Sequence, residues 1–305
     1  MTHWSKVTVV IINWNGLADT SECLESVRTI TYPNYQTIVI DNGSSADDAQ
    51  VLQERFGDST HLIASEKNLG FAGGCNLAMR EALASGADYV LLLNNDTVVD
   101  PAFLSMLVQA AEEIPDGAAF CPKICYYERP RVIQSTGGRV NAWMGRAWQV
   151  GRDKPDEGPN GRVEERDYAD GACMLIGRSA LERVGLLDEE YFAYWEETDW
   201  CARAREMGLK SYYVPNARIW HKAARSQAPD SDYYYLFRRG ALLFLRKRKS
   251  PLHLFSAVAL YLFVFGPLHL IRHPGAIRRL PGEARAFLWH LSSLFRPGGE
   301  GVRGS

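Results

Sequence analysis

The chain has few cysteines, none of them in pairs at metal or redox spacing, and no leader-like start. Cys23, Cys75, Cys121, Cys125, Cys173 and Cys201 are scattered, no Cys-x-x-Cys occurs, and Cys121 with Cys125 lacks a second pair for zinc. That argues against a zinc ribbon and a disulfide scaffold, and predicts reduced, mostly buried thiols in a cytosolic compartment. Met1 to Lys6 leads straight into an apolar strand, without the charged and apolar regions of a secretory signal, so a cytoplasmic location is expected. No internal repeat is visible. A strong net charge is missing too, with 34 Lys and Arg against 36 Asp and Glu. The balance hides a division. Acids predominate between Asp153 and Asp199, whereas Arg238, Arg239, Arg246, Lys247, Arg248, Lys249, Arg272, Arg278, Arg279 and Arg285 make the last third basic. No nucleic-acid-binding motif accompanies them, so no nucleic-acid partner is expected. The 305 residues, 46% hydrophobic and 23% charged, allow a sizeable core and argue against a disordered or fibrous chain.

What is present alternates. Apolar strands near Val7–Asn13, Thr37–Asp41, His61–Glu66 and Tyr89–Asn94 are separated by helical patterns over Thr20–Arg28, Asp47–Arg55 and Ala72–Ser85, as in an α/β protein with a mostly parallel sheet. From Ala118 the pattern turns irregular. The Gly/Pro-rich, charged stretch Gly151–Arg162 reads as a mobile surface loop.

Three clusters carry candidate chemistry. Leu91-Leu92-Leu93-Asn94-Asn95-Asp96 is an apolar run ending at a carboxylate flanked by amides, where oxygen ligands suit a hard divalent cation; a strand followed by an Asx turn into a helix near Pro101 is the plainer alternative. Tyr191 to Arg203 embeds three acids among aromatics. A helix from Glu197 puts Asp199 and Arg203 on one face and turns Trp200 and Cys201 to the core. Glu196 and Glu197 then either cap that helix or supply a general base tuned by apolar surroundings. The run Val214–Lys222 is β-prone and ends at His221, whose imidazole can complete a metal site begun by Asp96. Lys222 and Arg225 would add positive charge for a phosphate.

In this order the clusters, together with Val7-Thr8-Val9-Val10-Ile11-Ile12-Asn13-Trp14-Asn15-Gly16, Ile38-Val39-Ile40-Asp41-Asn42-Gly43-Ser44 and Asn68-Leu69-Gly70-Phe71-Ala72-Gly73-Gly74-Cys75-Asn76, resemble the family 2 glycosyltransferases, most closely their rhamnosyltransferase-like branch. The resemblance covers roughly residues 5 to 245, and the combination is far more specific than any single motif. It implies a GT-A fold: a Rossmann-like, mostly parallel mixed sheet flanked by helices. A catalytic domain is expected over 1–245, with a nucleotide-sugar half at about 1–117 and an acceptor half at 118–245, followed by a helical extension at 246–305.

By the same resemblance Asn13, Asn15 and Asp41 meet the donor nucleotide at strand carboxyl ends, where open α/β sheets bind ligands. Asn68, Gly70 and Asn76 are expected in a glycine-rich turn near the nucleotide or sugar. Asn94 and Asn95 fall in the family's Asp-x-Asp motif, with Asn in the first acidic place. Asp96 and His221 would hold Mg²⁺ or Mn²⁺, Ser226 would lie in a loop closing over the donor, and Glu197, beside Glu196, would be the base. The implied reaction is inverting transfer of a sugar, first L-rhamnose, from a dTDP- or UDP-sugar to a hydroxyl of a glycan or lipid-linked acceptor. A glycosidase would need two carboxylates about the bond and no metal-diphosphate site. A sugar-1-phosphate nucleotidylyltransferase would carry a Gly-rich basic loop after the first strand, where this chain has Asn13-Trp14-Asn15-Gly16. A non-catalytic sugar-nucleotide-binding scaffold would have lost the base or metal residues. Trp143, Trp148, Tyr168, Tyr194 and Trp195 are candidates to stack on an acceptor.

Leu252–Ile271 approaches the ~20 apolar residues that span a bilayer, yet contains His253, Ser256, Gly266, Pro267 and His269. With its basic flanks it is expected to lie in an anionic membrane interface as a helix or broken helical hairpin, which makes the protein peripheral or monotopic on the cytoplasmic face. A helix buried against the catalytic domain is the alternative.

Overall fold

The computed structural model describes residues 4–158, 161–222, 230–272 and 274–294. Ser226 and Arg225 lie outside them. The first half is a β-α alternation: β1 (Val7–Asn13), α1 (Leu17–Val27), β2 (Tyr35–Asp41), α2 (Asp48–Phe56), β3 (Thr60–Ala64), α3 (Gly70–Ala84) and β4 (Tyr89–Asn94). Then come β5 (Thr97–Val99), α4 (Phe103–Glu113), β6 (Gly117–Tyr126), β7 (Ile133–Ser135), β8 (Gly138–Asn141), β9 (Arg146–Gln149), β10 (Glu164–Arg166), β11 (Cys173–Gly177), α5 (Arg178–Val184), α6 (Glu196–Glu206) and β12 (Lys210–His221). The chain ends in α7 (Asp230–Arg248), α8 (Pro251–Leu260), α9 (Gly266–Arg272) and α10 (Leu280–Leu294).

The main sheet runs β10-β12-β6-β11-β4-β1-β2-β3, with β5 on β12 and β7 on β6. Neighbours β3, β2, β1 and β4 are parallel, β11 enters antiparallel between β4 and β6, and β12 is parallel to β6. This is the expected mixed, mostly parallel GT-A sheet. β-Branched and leucine-rich strands form it because both of its faces are covered. β1 sends Val7, Val9 and Ile11 into one core layer, with Phe103 and Phe120, and Val10 into the other, with Met79 and Trp200. All six cysteines are buried and unbonded.

The β12–β6 register shifts between Val214 and Arg218. Pro215 lies inside that shift and has no N–H for a ladder, a reason for the strand to bulge there. The bulged strand then re-pairs so that His221 lies opposite both Thr97 and Tyr126.

Residues 151–158 form a largely exposed loop, as expected, that is anchored at one side chain. Asp156 is buried and accepts from Lys123 Nζ at 2.6 Å, while Gly158 O takes a second proton of that ammonium. Arg218 adds a contact at 3.4 Å. A buried ion pair with these extra partners ties the stretch to β6 and β12.

The C-terminal helices form a third layer. α7 runs unbroken through the expected domain boundary at 245 and packs on Tyr191 and Trp195 through Ala241, Phe244 and Leu245. α8 continues through a π-helical turn, Tyr261–Phe265, into α9. α10 folds back on it, with the Tyr261 and Phe287 rings 5.6 Å apart. The 22 residues Pro251–Arg272 are long and apolar enough to cross a bilayer, and little of their surface is buried. That removes the buried-helix alternative: Phe255 is 71% exposed, Phe263 78% and Ile271 75%.

Of the basic run before α8, Lys249 is exposed as expected, but the other three charges turn to acids. Arg246 pairs with Glu190 (3.1 Å), Lys247 with Asp188 (2.5 Å) and Arg248 with Asp199 (2.7 Å). These acids lie between residues 188 and 199, ahead of α7, so the three charges are paired within the protein. Arg272 and Arg278 remain exposed beside the apolar face.

Candidate active site

The carboxyl ends of the central strands build the site. The register puts Asn13 opposite Asp41 and Ile12 opposite Asn94, so β1, β2 and β4 end together. β5 pairs with β12 just beyond, and Lys222 N donates to Asp96 O at 3.0 Å. Two segments more than a hundred residues apart therefore meet at Asp96 and His221.

His221 Nε2 stands 3.0 Å from Asp96 Oδ1 and 3.5 Å from Asn94 Nδ2. Its Nδ1 lies 3.0 Å from Gln134 Oε1, which can accept the Nδ1 proton and so leave Nε2 for a cation, the usual outer support of a metal-binding histidine. Both Asp96 carboxylate oxygens are buried, and the His221 imidazole is the charge partner beside Oδ1. Burial pushes the Asp96 carboxyl up, but His221 and Lys222 outweigh it and hold the group below its ordinary value. Burial pulls the His221 imidazole down, and Asp96 and Asp170 more than reverse this. Two octahedral ligands at about 2.1 Å and at right angles lie about 3.0 Å apart, the spacing seen here. The pair therefore fits a small divalent cation. Among the described residues no third His, Cys, Asp or Glu joins them, which leaves the other positions to water and phosphate oxygens, as is usual for Mg²⁺.

The acidic pair arrives on α6. Glu196 is buried and Glu197 half-buried at the first turn, where the dipole favours negative charge. Burial, followed by the charge of Asp170, pushes the Glu197 carboxyl up to about 7; burial and then Glu197 push Glu196 well above its ordinary range. Thr198 Oγ1 donates to Glu197 Oε1 at 3.2 Å. Asp199 pairs with Arg203 at 2.9 Å, and Trp200 and Cys201 enter the core, as the helical spacing predicts.

Sequence reasoning missed Asp170, Gln134, Asn42 and Asp48. Asp170 precedes β11, whose antiparallel pairing with β4 carries it to Asn94 through the Asn94 N to Ala172 O bond. From there its charge reaches both His221 and Glu197. Asn42 organises the glycine-rich turn, donating to Asn68 Oδ1 and Gly70 O and accepting from Leu69 N. An Asn after an expected ligand, Asp41, was the one available signal.

Several expected ligand residues serve the framework instead. Asn13 is fully buried: its amide donates to Asp41 and Asp48 and its oxygen accepts from Thr20, so its side chain braces the strand ends. Asn76 is buried likewise, bonded to both Leu187 O and Leu187 N and to Glu189. Asn95 donates to Thr20 at the start of α1. Gly70, at φ 74°, is needed because a Cβ would lie 2.5 Å from Phe192 O. Lys222 is consumed by Asp19 and Glu22, each at 2.6 Å, and offers no free charge to a phosphate. Tyr168 and Trp195 are core residues rather than stacking platforms. At the strand ends Asn15 is exposed, its oxygen accepting from Ser45 N, and Asn68 is half-buried, while Asp41 is buried and held by Asn13 and Ser44.

Comparison with known proteins identifies the family and the fold. N-acetylglucosaminyl-diphospho-decaprenol L-rhamnosyltransferase of Mycobacterium tuberculosis is 27% identical over 266 residues, 79% of this chain and 84% of that one. The dTDP-rhamnosyl transferase RfbF of Shigella flexneri is 22% identical over 81% of this chain and 82% of its own. The structure of GalNAc-T7 with UDP, GalNAc and Mn2+ shares the fold, with a TM-score of 0.65 at 16% identity over 81% of this chain, which spans 48% of that protein. The sequence pattern of "Glycosyl transferase family 2" matches residues 8–185, more than half of the chain. The chain belongs to glycosyl transferase family 2, among relatives named as rhamnosyltransferases.

Proposed function

We propose that this glycosyltransferase is a metal-dependent, inverting enzyme that moves L-rhamnose from a dTDP-sugar, with UDP-sugars as the second choice, to a hydroxyl of a lipid-linked glycan in cell-surface polysaccharide synthesis. The observation that carries the metal reading is Asp96, a buried carboxylate with His221 Nε2 3.0 Å from its Oδ1 and Gln134 supporting the far side of that ring. Asp96 and His221 would hold Mg²⁺ or Mn²⁺, which when bound neutralises a leaving diphosphate. Asn15, Asp41 and Asn68 line the nucleotide side at the strand ends. Glu197 accepts the acceptor's hydroxyl proton as that oxygen attacks the anomeric carbon and the C–O bond to the diphosphate breaks. One displacement inverts the centre, and a base in this position contributes roughly 10²–10⁴-fold. Asp170 keeps Glu197 basic enough for this, and Glu196, held protonated, leaves a single negative charge on the pair.

The exposed apolar face of α8–α10 supports a seat in the cytoplasmic membrane interface, which suits a lipid-linked acceptor. The relatives' names support the sugar. Nucleotide release from dTDP-, UDP- and GDP-sugars, with Mg²⁺ or Mn²⁺ and membrane lipid extract, tests the reading on wild type, Glu197→Gln and Asp96→Ala. Release from dTDP-rhamnose that needs metal and acceptor, and that both substitutions abolish, is expected. Unchanged release by Glu197→Gln would remove the base assignment, and donor binding without release from any sugar would favour a scaffold.

A further inference from the structure

The segment that presents the acidic pair is bent in an uncommon way. Phe192, Tyr194 and Trp195 hold φ of 65°, 68° and 77°, the left-handed region that bulky residues rarely enter, and Trp195 is the residue before Glu196. Such a turn persists only where its surroundings over-determine it. On one side Phe192 O accepts from Ala72 N at 3.1 Å and Phe192 packs on Gly70. On the other side the closest contacts come from α7. A Cβ on Gly240 would lie 2.7 Å from Tyr194 O and 3.0 Å from Trp195 Cδ1, so the helix backbone rests directly on the turn. Trp195 packs on Phe244 at 5.3 Å, and Tyr194 on Tyr233 at 5.1 Å.

A buried charge closes the arrangement. Asp199, one turn into α6 and fully buried, accepts from Tyr191 Oη (3.0 Å), Arg203 Nε (2.9 Å) and Arg248 Nε (2.7 Å). Tyr191 lies just before the turn, and Arg248 is the last residue of α7. Both ends of the bent segment are thereby tied to α7.

We propose that α7 is a brace that sets the position of Glu197, with Gly240 and Arg248 as positioning residues that touch neither donor nor acceptor. The inference rests on the reading of Glu197 as the base. It makes the C-terminal layer part of the catalytic apparatus and not only an anchor, since α7 leads directly into α8.

The test uses the full chain, with dTDP-rhamnose, UDP-galactose and UDP-N-acetylglucosamine as donors and lipid extract as acceptor, and measures kcat and donor KM for Gly240→Ala, Arg248→Met, Arg248→Lys and Glu197→Gln. A base displaced by about 1 Å loses on the order of 10²-fold in turnover. Gly240→Ala and Arg248→Met are expected to lose kcat on this scale with donor KM within about twofold of wild type, and Arg248→Lys to recover most of it by restoring the charge to Asp199. Wild-type kcat in both Gly240→Ala and Arg248→Met, beside an inactive Glu197→Gln, would overturn the brace and keep the base. So would a loss confined to KM. An active Glu197→Gln would overturn the base reading and the brace with it. Should Gly240→Ala not fold, the Arg248 pair decides alone: equal losses in Met and Lys variants count against the proposal.

Discussion

Replacing Glu197 by glutamine should stabilise the protein at alkaline pH while abolishing turnover. The native carboxyl keeps its proton up to about 7, whereas in the unfolded chain it ionises near 4.5. A carboxyl raised in this way favours the folded state only while it is protonated, so its contribution is present below about 4.5 and is lost as pH rises towards 7. At about 1.4 kcal/mol per pH unit, the full span costs about 3 kcal/mol, an upper figure because the side chain is only half-buried. Glutamine never ionises and escapes the cost. The difference in unfolding free energy between variant and wild type, measured by urea denaturation without metal, should therefore move in the variant's favour by up to about 3 kcal/mol between about pH 5 and pH 8. That corresponds to roughly 5 °C in Tm at this chain length. Turnover of the wild type should rise with pH through about 7 as the base becomes available. A difference that stays flat across this range, or a rate limb near pH 4.5, would refute the reasoning.

Gly70→Ala places a Cβ 2.5 Å from Phe192 O at a positive φ and should cost roughly 1–3 kcal/mol, read as a lowered melting temperature. Asp156→Asn leaves the buried Lys123 ammonium without its carboxylate and should cost about 3–5 kcal/mol; limited proteolysis should then cut within residues 151–158. Phe255→Ser with Phe263→Ser removes two exposed aromatics from the apolar face, each worth roughly 1.5–3 kcal/mol when buried. Co-flotation with anionic vesicles should fall at least tenfold. Because the Arg246–Arg248 charges are paired internally, vesicle binding by the wild type should survive high salt better than a charge-driven anchor would.

Much of the fold was legible because its cause is local. The runs Val7–Asn13 and Tyr89–Asn94 are apolar strands bounded by polar residues, and both appear with these limits. Asp96 and His221 were legible as residue types, but their meeting depends on β5 pairing with β12, which no local pattern encodes. Asp170 escaped notice because it sits in a turn without periodicity and reaches the site only through β11. Asn13 and Asn76 were misread for a physical reason. A buried amide that satisfies neighbouring groups has the same letter as one that awaits a ligand, and only the hydrogen-bond partners tell them apart. The Phe192–Trp195 turn was invisible because bulky aromatics give no hint of left-handed backbone.

The six buried thiols make the protein its own opening gauge. Burial pushes Cys23 and Cys121 up to about 12 and Cys125 and Cys201 to about 11, with Cys75 and Cys173 also well above their ordinary value. Each stays an inert thiol until its own segment opens. The six sit on α1, α3, β6, β11 and α6, so an alkylating reagent samples the nucleotide side, the sheet centre and the catalytic helix separately. Cys75 feels the charge of Glu196 and Cys201 that of Glu197. Cys201 shares α6 with the acidic pair, so its labelling rate reports the opening of that helix without any engineered probe.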